Sequence, residues 1–298
     1  PLILFDKKLR NLLVGQRLSE WLTCDLISPK LKDLIHDQSI ARSSVIEVMH
    51  AKSIEYSNLR PSLLPGMLQS LKQNFSFQNK DIAAFEIGKV HLKEEENFLE
   101  PTLFSVLLTG CSPGNWDKKE ECRDFYDLKG ILENIFNSLD VKASFTPSTH
   151  PSFHPYRQAH VHIDEVYIGV LGELEQSLCK KMQIKNRVFF AELQCEYLVK
   201  KQSMQKKFTK LPTQPASERD VTLSVNRRVL VADILNKYQK NKPPILEKVS
   251  LIDLFEDEKI GLENKNVTIR VIYRDPIRTL SFEEIEEVHQ KLISTISF

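Results

Sequence analysis

The stretch KVSLIDLFEDEKIGLENKNVTIRVIYRDPIRT, Lys248 to Thr279, decides how the rest of the chain is read. It holds two strand-like runs, Val249 to Phe255 and Asn266 to Arg274, joined by a polar loop with Gly261 and leading into a helix start. Such a pair reads as a β-hairpin followed by a helix. Successive side chains of a strand point to opposite faces. Val267, Ile269, Val271 and Tyr273 therefore share an apolar face, and Thr268, Arg270, Ile272 and Arg274 share a mostly polar and basic one. In the first run the same period puts Ile252 with Leu254, and Asp253 with Phe255 on the opposite side. An aromatic ring and an acid then share a face with water or a ligand.

Before this hairpin a strand is expected at Asp220 to Val225, then a helix with Val231, Ile234, Leu235 and Tyr238 at i, i+3, i+4 and i+7. After it, Ser281 with Glu284 three residues on forms a capping box, and the helix it opens carries Ile285, Val288, Leu292 and Ile296 as its stripe. The order βαββα is that of a ferredoxin-like (βαββαβ) domain whose last strand is missing or truncated. Ahead of it, Lys200 to Lys210 holds five lysines and no acid, and Pro212 and Pro215 follow. A charged, proline-flanked segment between periodic regions predicts a junction. The expected division is a module over 1–199, a linker over 200–211 and a domain over 212–298.

In the first module, Leu9, Leu12, Leu13 and Leu18 predict a helix over Phe5 to Trp21, with a short strand over Leu22 to Ile27. Val45 to Met49 is a short β-rich run, and YSNLRPSLLPG (Tyr56 to Gly66) is a proline-shaped turn before a helix carrying Leu64, Met67, Leu68 and Leu71. Ile82 to Leu92 and Thr102 to Thr109 read as strands of an antiparallel meander. Leu128, Ile131, Leu132, Ile135 and Leu139 mark an amphipathic helix, and strands follow at His160 to Ile163, Val166 to Leu171 and Val188 to Leu193, with a short helix around Leu174 to Met182. Strands grouped with helices on one side give an α+β class.

With 298 residues and 41% apolar content the chain can bury a sizeable core in about two domains. A formal net charge of +1 removes any global electrostatic argument for nucleic acid, so basic surface has to be local. Cys24, Cys111, Cys122, Cys179 and Cys195 are odd in number and lack a CxxC spacing, which predicts free thiols in a reducing cytosol. No apolar run approaches a membrane span and there is no leader pattern. The chain begins at Pro1 within what reads as an ongoing fold, and a fragment of a longer polypeptide is expected.

An open sheet backed by helices is a platform for single-stranded RNA, where bases stack on aromatics and polar groups reach their edges. Asp253, Phe255, Asn266, Thr268, Arg270, Arg274 and Arg278 lie on or beside that face. By composition alone a solvated face or a protein interface is the commoner outcome. His150, His154, His160 and His162 invite a metal, yet no cysteine pair or HExxH helix accompanies them, which favours loop and core histidines. No GxSxG nucleophile or phosphate loop is present. Arg60 reads equally as an anion grip or as a buried ion pair.

Several motifs in order resemble the β subunit of bacterial-type phenylalanine–tRNA ligase: LRPSLLPGMLQSL (Leu59 to Leu71), AFEIGKVH (Ala84 to His91), DFYDLKGILENI (Asp124 to Ile135), FHPYRQA (Phe153 to Ala159), IGVLGEL (Ile168 to Leu174), ERDVTLSV (Glu218 to Val225), VSLIDLFED (Val249 to Asp257) and YRDPIRTLSFEEI (Tyr273 to Ile285). The resemblance implies a class II synthetase-like antiparallel sheet module without catalytic residues, followed by a ferredoxin-like anticodon-binding domain. It implies that ATP and Mg2+ are used by the holoenzyme at a catalytic α subunit, with none bound by this fragment. An α2β2 heterotetramer in the cytoplasm is the expected assembly. Phenylalanine tRNA is the expected RNA partner, with Phe255 matching a stacking aromatic, often tyrosine, Asp253 an acid that meets a base edge, and Asn266 a polar residue of similar role. A carboxylate suits the N–H edge of guanine, usual as the first anticodon base of that tRNA. The editing parts of a full β subunit are absent from the stretch. The alternative expectation is a structural protein-interaction module without RNA binding.

Overall fold

The computed structural model of the chain describes residues 2–33, 44–112, 114–202, 208, 210–257, 260–261 and 263–295. They group into two compact units, Pro1–Lys206 and Lys207–Phe298.

The first unit opens with α1 (Leu2–Gly15), β1 (Ser19–Glu20), β2 (Leu26–Ile27), the single turn α2 (Pro29–Lys32) and β3 (Asn58–Leu59). Next come α3 (Leu64–Ser76), β4 (Ile82–Lys89), the ribbon β5 (Leu92–Glu94) and β6 (Asn97–Leu99), and β7 (Thr102–Thr109). A second ribbon, β8 (Cys111–Ser112) and β9 (Glu121–Cys122), precedes α4 (Phe125–Leu139), β10 (Ala143–Pro147), β11 (Phe153–Ile163) and β12 (Val166–Leu174). The unit closes with α5 (Gln176–Lys181), β13 (Val188–Gln194) and α6 (Cys195–Lys201).

Seven strands form one sheet in the order β1-β4-β7-β13-β12-β11-β10, antiparallel throughout except where β1 runs parallel to β4. Helices cover both faces, not one as the sequence reading expects. On one side Leu9 and Leu13 of α1, Leu128, Leu132 and Ile135 of α4 and Leu198 of α6 pack on Phe85, Phe104, Val106, Phe189 and Ala191. On the other, Met67, Leu68 and Leu71 of α3 and Leu178 of α5 pack on Ala84, Leu107, Val170, Val188 and Phe190. The central strands TLFSVLLT and VFFAELQ are near-continuous apolar runs, the signature of a sheet buried on both faces.

Local chemistry fixes the element ends. Asp124 accepts from the Tyr126 and Asp127 amides while Asp127 accepts from the Asp124 amide, a reciprocal cap that starts α4. The first helix stops at Gly15, short of the expected Trp21, because Arg17 turns left-handed at φ 64°. The short strand expected over Leu22 to Ile27 is limited to Leu26–Ile27, and the run Val45 to Met49 reduces to one bridge, Glu47 to Asn58. α6 runs on to Lys201, into the stretch read as a linker, of which 203–207 and 209 lie outside the described residues. Cys111 and Cys122 are joined as a disulfide across β8 and β9, which corrects the expectation of five free thiols; Cys24, Cys179 and Cys195 are free. Odd number and wide spacing carried no signal for two adjacent short strands that bring two thiols opposite each other.

The second unit consists of β14 (Ser217–Asn226), α7 (Val231–Lys240), β15 (Leu246–Phe255), β16 (Asn264–Tyr273) and α8 (Phe282–Thr295). Its strands are ordered β14-β16-β15, all antiparallel, so β16 is the middle strand. Val267, Ile269, Val271 and Tyr273 are fully buried against Ile234, Tyr238, Ile285 and Leu292, as the alternation predicts. The Ser281–Glu284 capping box is formed, and Ile296 lies outside the described residues.

Beneath this sheet the Tyr273 hydroxyl lies 2.9 Å from Nδ1 of buried His289. Burial lowers the His289 pKa below 6.5, against a smaller opposing pull from Glu286. The unfolded chain therefore takes up a proton near pH 6.5 that the folded unit refuses, so stability is full above that pH and declines as pH falls below it. Urea unfolding of the chain is expected to show a lower midpoint for the second unit at pH 5.5 than at pH 7.5, with the difference reduced in His289→Gln.

Candidate nucleic-acid interface

The open face of the second unit is built by three strands in register. Asn266 pairs with Ser224 on one side and Phe255 on the other; Thr268 pairs with Thr222 and Asp253; Arg270 with Asp220 and Ser250; Ile272 with Glu218 and Lys248. Directly opposed residues are close neighbours. Phe255, Asp253, Asn266 and Thr268 thus form two adjacent cross-strand rows at one end of the sheet.

A β-bulge at Ile252 makes this possible. Leu251 pairs with core-facing Ile269, while Asp253 pairs with Thr268 on the open side. Unbroken alternation would have put Leu251 on the face of Asp253 and Phe255. The extra residue moves it to the core side. The Phe255 ring remains 48% exposed, available for stacking. The Asp253 carboxylate accepts from the neighbouring Leu254 amide at 2.9 Å and, among the described residues, makes no ion pair.

The arginines behave differently. Arg270 makes a two-pronged contact with Asp220, at 2.8 Å from Nε and from Nη2, and its Nη1 lies 3.1 Å from Glu218. The Arg270 guanidinium holds the Asp220 carboxyl below its usual range. Arg274 follows the last residue of β16 and donates to Glu247 at 2.7 Å and to the Gln214 carbonyl at 3.0 Å. Arg278 lies beyond the sheet and donates to both oxygens of Glu284, holding that carboxyl down at about 2, with the Ser281 amide assisting. Arg278 therefore secures the entry to α8 and is not brought to the face with Phe255. All three arginines are engaged by carboxylates that strand alternation in β15 and β16 alone did not bring into view, and Arg278 stands off the face on or beside which the sequence reading placed it. Sequence reading also missed Thr222 and Ser224, although ERDVTLSV alternates strictly and marks them as open-face residues; Thr222 and Thr268 hydroxyls are 3.0 Å apart.

In the first unit Arg60 is a structural ion pair. It is buried, and donates to Glu86 at 2.6 Å, Thr23 at 2.9 Å and the Lys89 carbonyl at 3.0 Å, with Asp25 at 2.7 Å. A Cβ on Gly88 would stand 2.5 Å from its Nη2, so any larger residue there would displace the guanidinium from these partners. The histidines do not assemble a ligand set. Among the described residues the one group with metal-ligand spacing is Cys111, Glu120 and Cys122, whose sulfurs are already bonded to each other. No helix among the described residues is long and apolar enough to cross a membrane.

A broad antiparallel sheet flanked by helices, followed by a split-βαβ unit, defines a class II synthetase-like core joined to a ferredoxin-fold domain. Residues 2–195 match the family profile described as phenylalanyl tRNA synthetase beta chain CLM domain, and 212–297 match that of the ferredoxin-fold anticodon binding domain. The chain belongs to the phenylalanine–tRNA ligase β-subunit family. It is 36% identical over 299 residues to the β subunit of Protochlamydia amoebophila and 32% over 302 to that of Chlamydia caviae. Each match takes in 100% of this chain but 37% of the relative, so the chain spans little more than a third of the length of the proteins it matches. Among solved structures, a pyrrolysyl-tRNA synthetase of Desulfitobacterium hafniense shares the fold at a TM-score of 0.52 and 17% identity, over 67% of this chain and 68% of that one.

Removing the guanidinium in Arg270→Ala is expected to release Asp220, whose titration, followed by NMR, moves up toward the ordinary carboxylate range.

Proposed function

We propose that the chain is the non-catalytic part of a phenylalanine–tRNA ligase β subunit, supporting ATP-dependent attachment of phenylalanine to its tRNA. The open face at Phe255 binds the anticodon, with Phe255 stacking on a base and Asp253 accepting from a base edge. The observation that carries this reading is the bulge-set register that puts an exposed ring and a carboxylate with no ion-pair partner among the described residues on neighbouring rows, beside the amide of Asn266 and the hydroxyl of Thr268. These groups suit base recognition; the carboxylate-bound arginines of the same domain are less suited to gripping phosphate. Pairing with a catalytic α subunit in an α2β2 assembly falls to the first unit, where α1 leaves Ile3, Leu4 and Val14 exposed. ATP and Mg2+ belong to that partner, and the setting is cytoplasmic. A second reading, a protein-docking module without RNA binding, draws on Leu251, Ile252 and Leu254, all more than 40% exposed on edge strand β15.

Phe255→Ala is expected to weaken binding of an anticodon stem-loop by about 1–3 kcal/mol, the usual worth of one base–aromatic stack. Asp253→Asn is expected to reduce the preference for guanine over adenine at the contacted base. Equal, salt-independent binding by wild type and Phe255→Ala would favour the protein-docking reading. The purified chain is expected to give no ATP–pyrophosphate exchange without an α subunit; clear exchange by the chain alone would overturn the non-catalytic assignment.

A further inference from the structure

The first unit carries a half-open cavity of about 700 Å3 bordered by Arg157, Glu173, Lys180, Lys185 and Arg187. The lining holds four cations to one carboxylate, with Asp124 also within electrostatic reach of Arg187, on a chain whose formal net charge is only +1. This is a local basic concentration. Glu173 is 7% exposed and binds both arginines: Arg187 donates from Nη2 at 2.6 Å and from Nε at 3.1 Å, and Arg157 from Nε at 2.5 Å and from Nη2 at 3.3 Å. Burial opposes the charge on Glu173, but the hydrogen bonds from Arg187 and Arg157 outweigh it and hold the carboxyl below its usual range. These bonds leave Nη1 of each guanidinium outside the pair, and the two side chains remain 43% and 55% exposed. The carboxylate thus positions two forked donors without occupying them fully.

Behind the charged rim, Leu174, Cys179 and Ile184 form a buried apolar floor. Burial pushes the Cys179 thiol up to about 12, so it is neutral there. The wall carrying Lys185 and Arg187 is set by a tight helix end. Gln183 turns left-handed at φ 63°, and its amide and that of Ile184 donate to the Lys180 and Cys179 carbonyls, each at 2.9 Å. His154 also borders the cavity, and its ring lies 6.1 Å from that of Tyr156, which is 91% exposed outside the lining.

We propose that this cavity binds a nucleotide unit, its phosphate on the Arg157–Arg187 pair and its base over the apolar floor. Forked guanidiniums match phosphate oxygens in geometry and charge. The volume falls within the roughly 300–1,000 Å3 typical of small-molecule sites. The same chemistry admits a free nucleotide or a nucleotide of an RNA chain. The site is separate from the Phe255 face and does not depend on the anticodon reading.

The test titrates the full chain with AMP, a short single-stranded RNA and a polyglutamate peptide, and reads the bound region by hydrogen exchange. Lys180→Glu/Lys185→Glu changes two exposed side chains and leaves the Glu173 network intact, so its unfolding midpoint is expected to match wild type. Nucleotide or RNA is expected to protect amides over 176–187, and the charge reversal to weaken binding by about tenfold or more. RNA binding about tenfold tighter than AMP assigns the RNA chain as the source, and equal affinity assigns the free nucleotide. Phe255→Ala is expected to leave AMP binding and the 176–187 protection unchanged even where it lowers total RNA affinity, which separates this site from the anticodon reading. Absence of protection over 176–187, affinity indifferent to the charge reversal, or polyglutamate binding as tightly as nucleotide would each overturn the proposal, the last in favour of an acidic protein segment.

Discussion

The central position of β16 is the constraint on which the second unit depends. Its sequence NKNVTIRVIY must bury Val267, Ile269, Val271 and Tyr273 on one side, because α7 and α8 both pack there. Once that face is fixed, Asn266, Thr268 and Arg270 have no choice but the other, and each selects its neighbours in β14 and β15 through ladder hydrogen bonds. A slip of one residue would bury Arg270 and expose the core set, a change that hydrophobic burial strongly opposes. The same force that makes the core thus sets the composition of the open face.

The first unit meets a different constraint: a charge cluster in its interior. Arg60, Glu86 and their partners Thr23 and Asp25 join the segment after β1, the strand β3 and the long strand β4. Buried pairs of this kind contribute little net stability but are costly to break on one side. Arg60 is therefore committed to architecture, its donors occupied by protein oxygens.

Much of this was legible in the residues. Periodicity located α3, α4, α7 and α8 and the strands β7, β13 and β16, since each carries a strong apolar repeat. What escaped was non-local. The bulge at Ile252 cannot be seen in LIDLF, because it exists only relative to β16. The partners of Arg270 sit fifty and fifty-two residues earlier, at Asp220 and Glu218, where only strand pairing brings them opposite. The second buried face of the large sheet was foreshadowed by TLFSVLLT, yet a run apolar on both sides does not say which helices will cover it. Cys111 and Cys122 likewise meet through a ribbon of two-residue strands too short to carry a pattern.

Electrostatics divides the chain's surfaces by chemistry. In a near-neutral protein uncommitted cations are few, because each exposed arginine beside an acid is largely neutralised by it. In the second unit the acids win: Glu218, Asp220, Glu247 and Glu284 occupy Arg270, Arg274 and Arg278. The groups on its Phe255 end are an aromatic ring, an amide, a hydroxyl and one carboxylate. In the lining of the cavity at Glu173 the ratio reverses, with four cations to one acid. The open face of the second unit and the cavity at Glu173 thus differ in how many carboxylates the fold brings to their arginines.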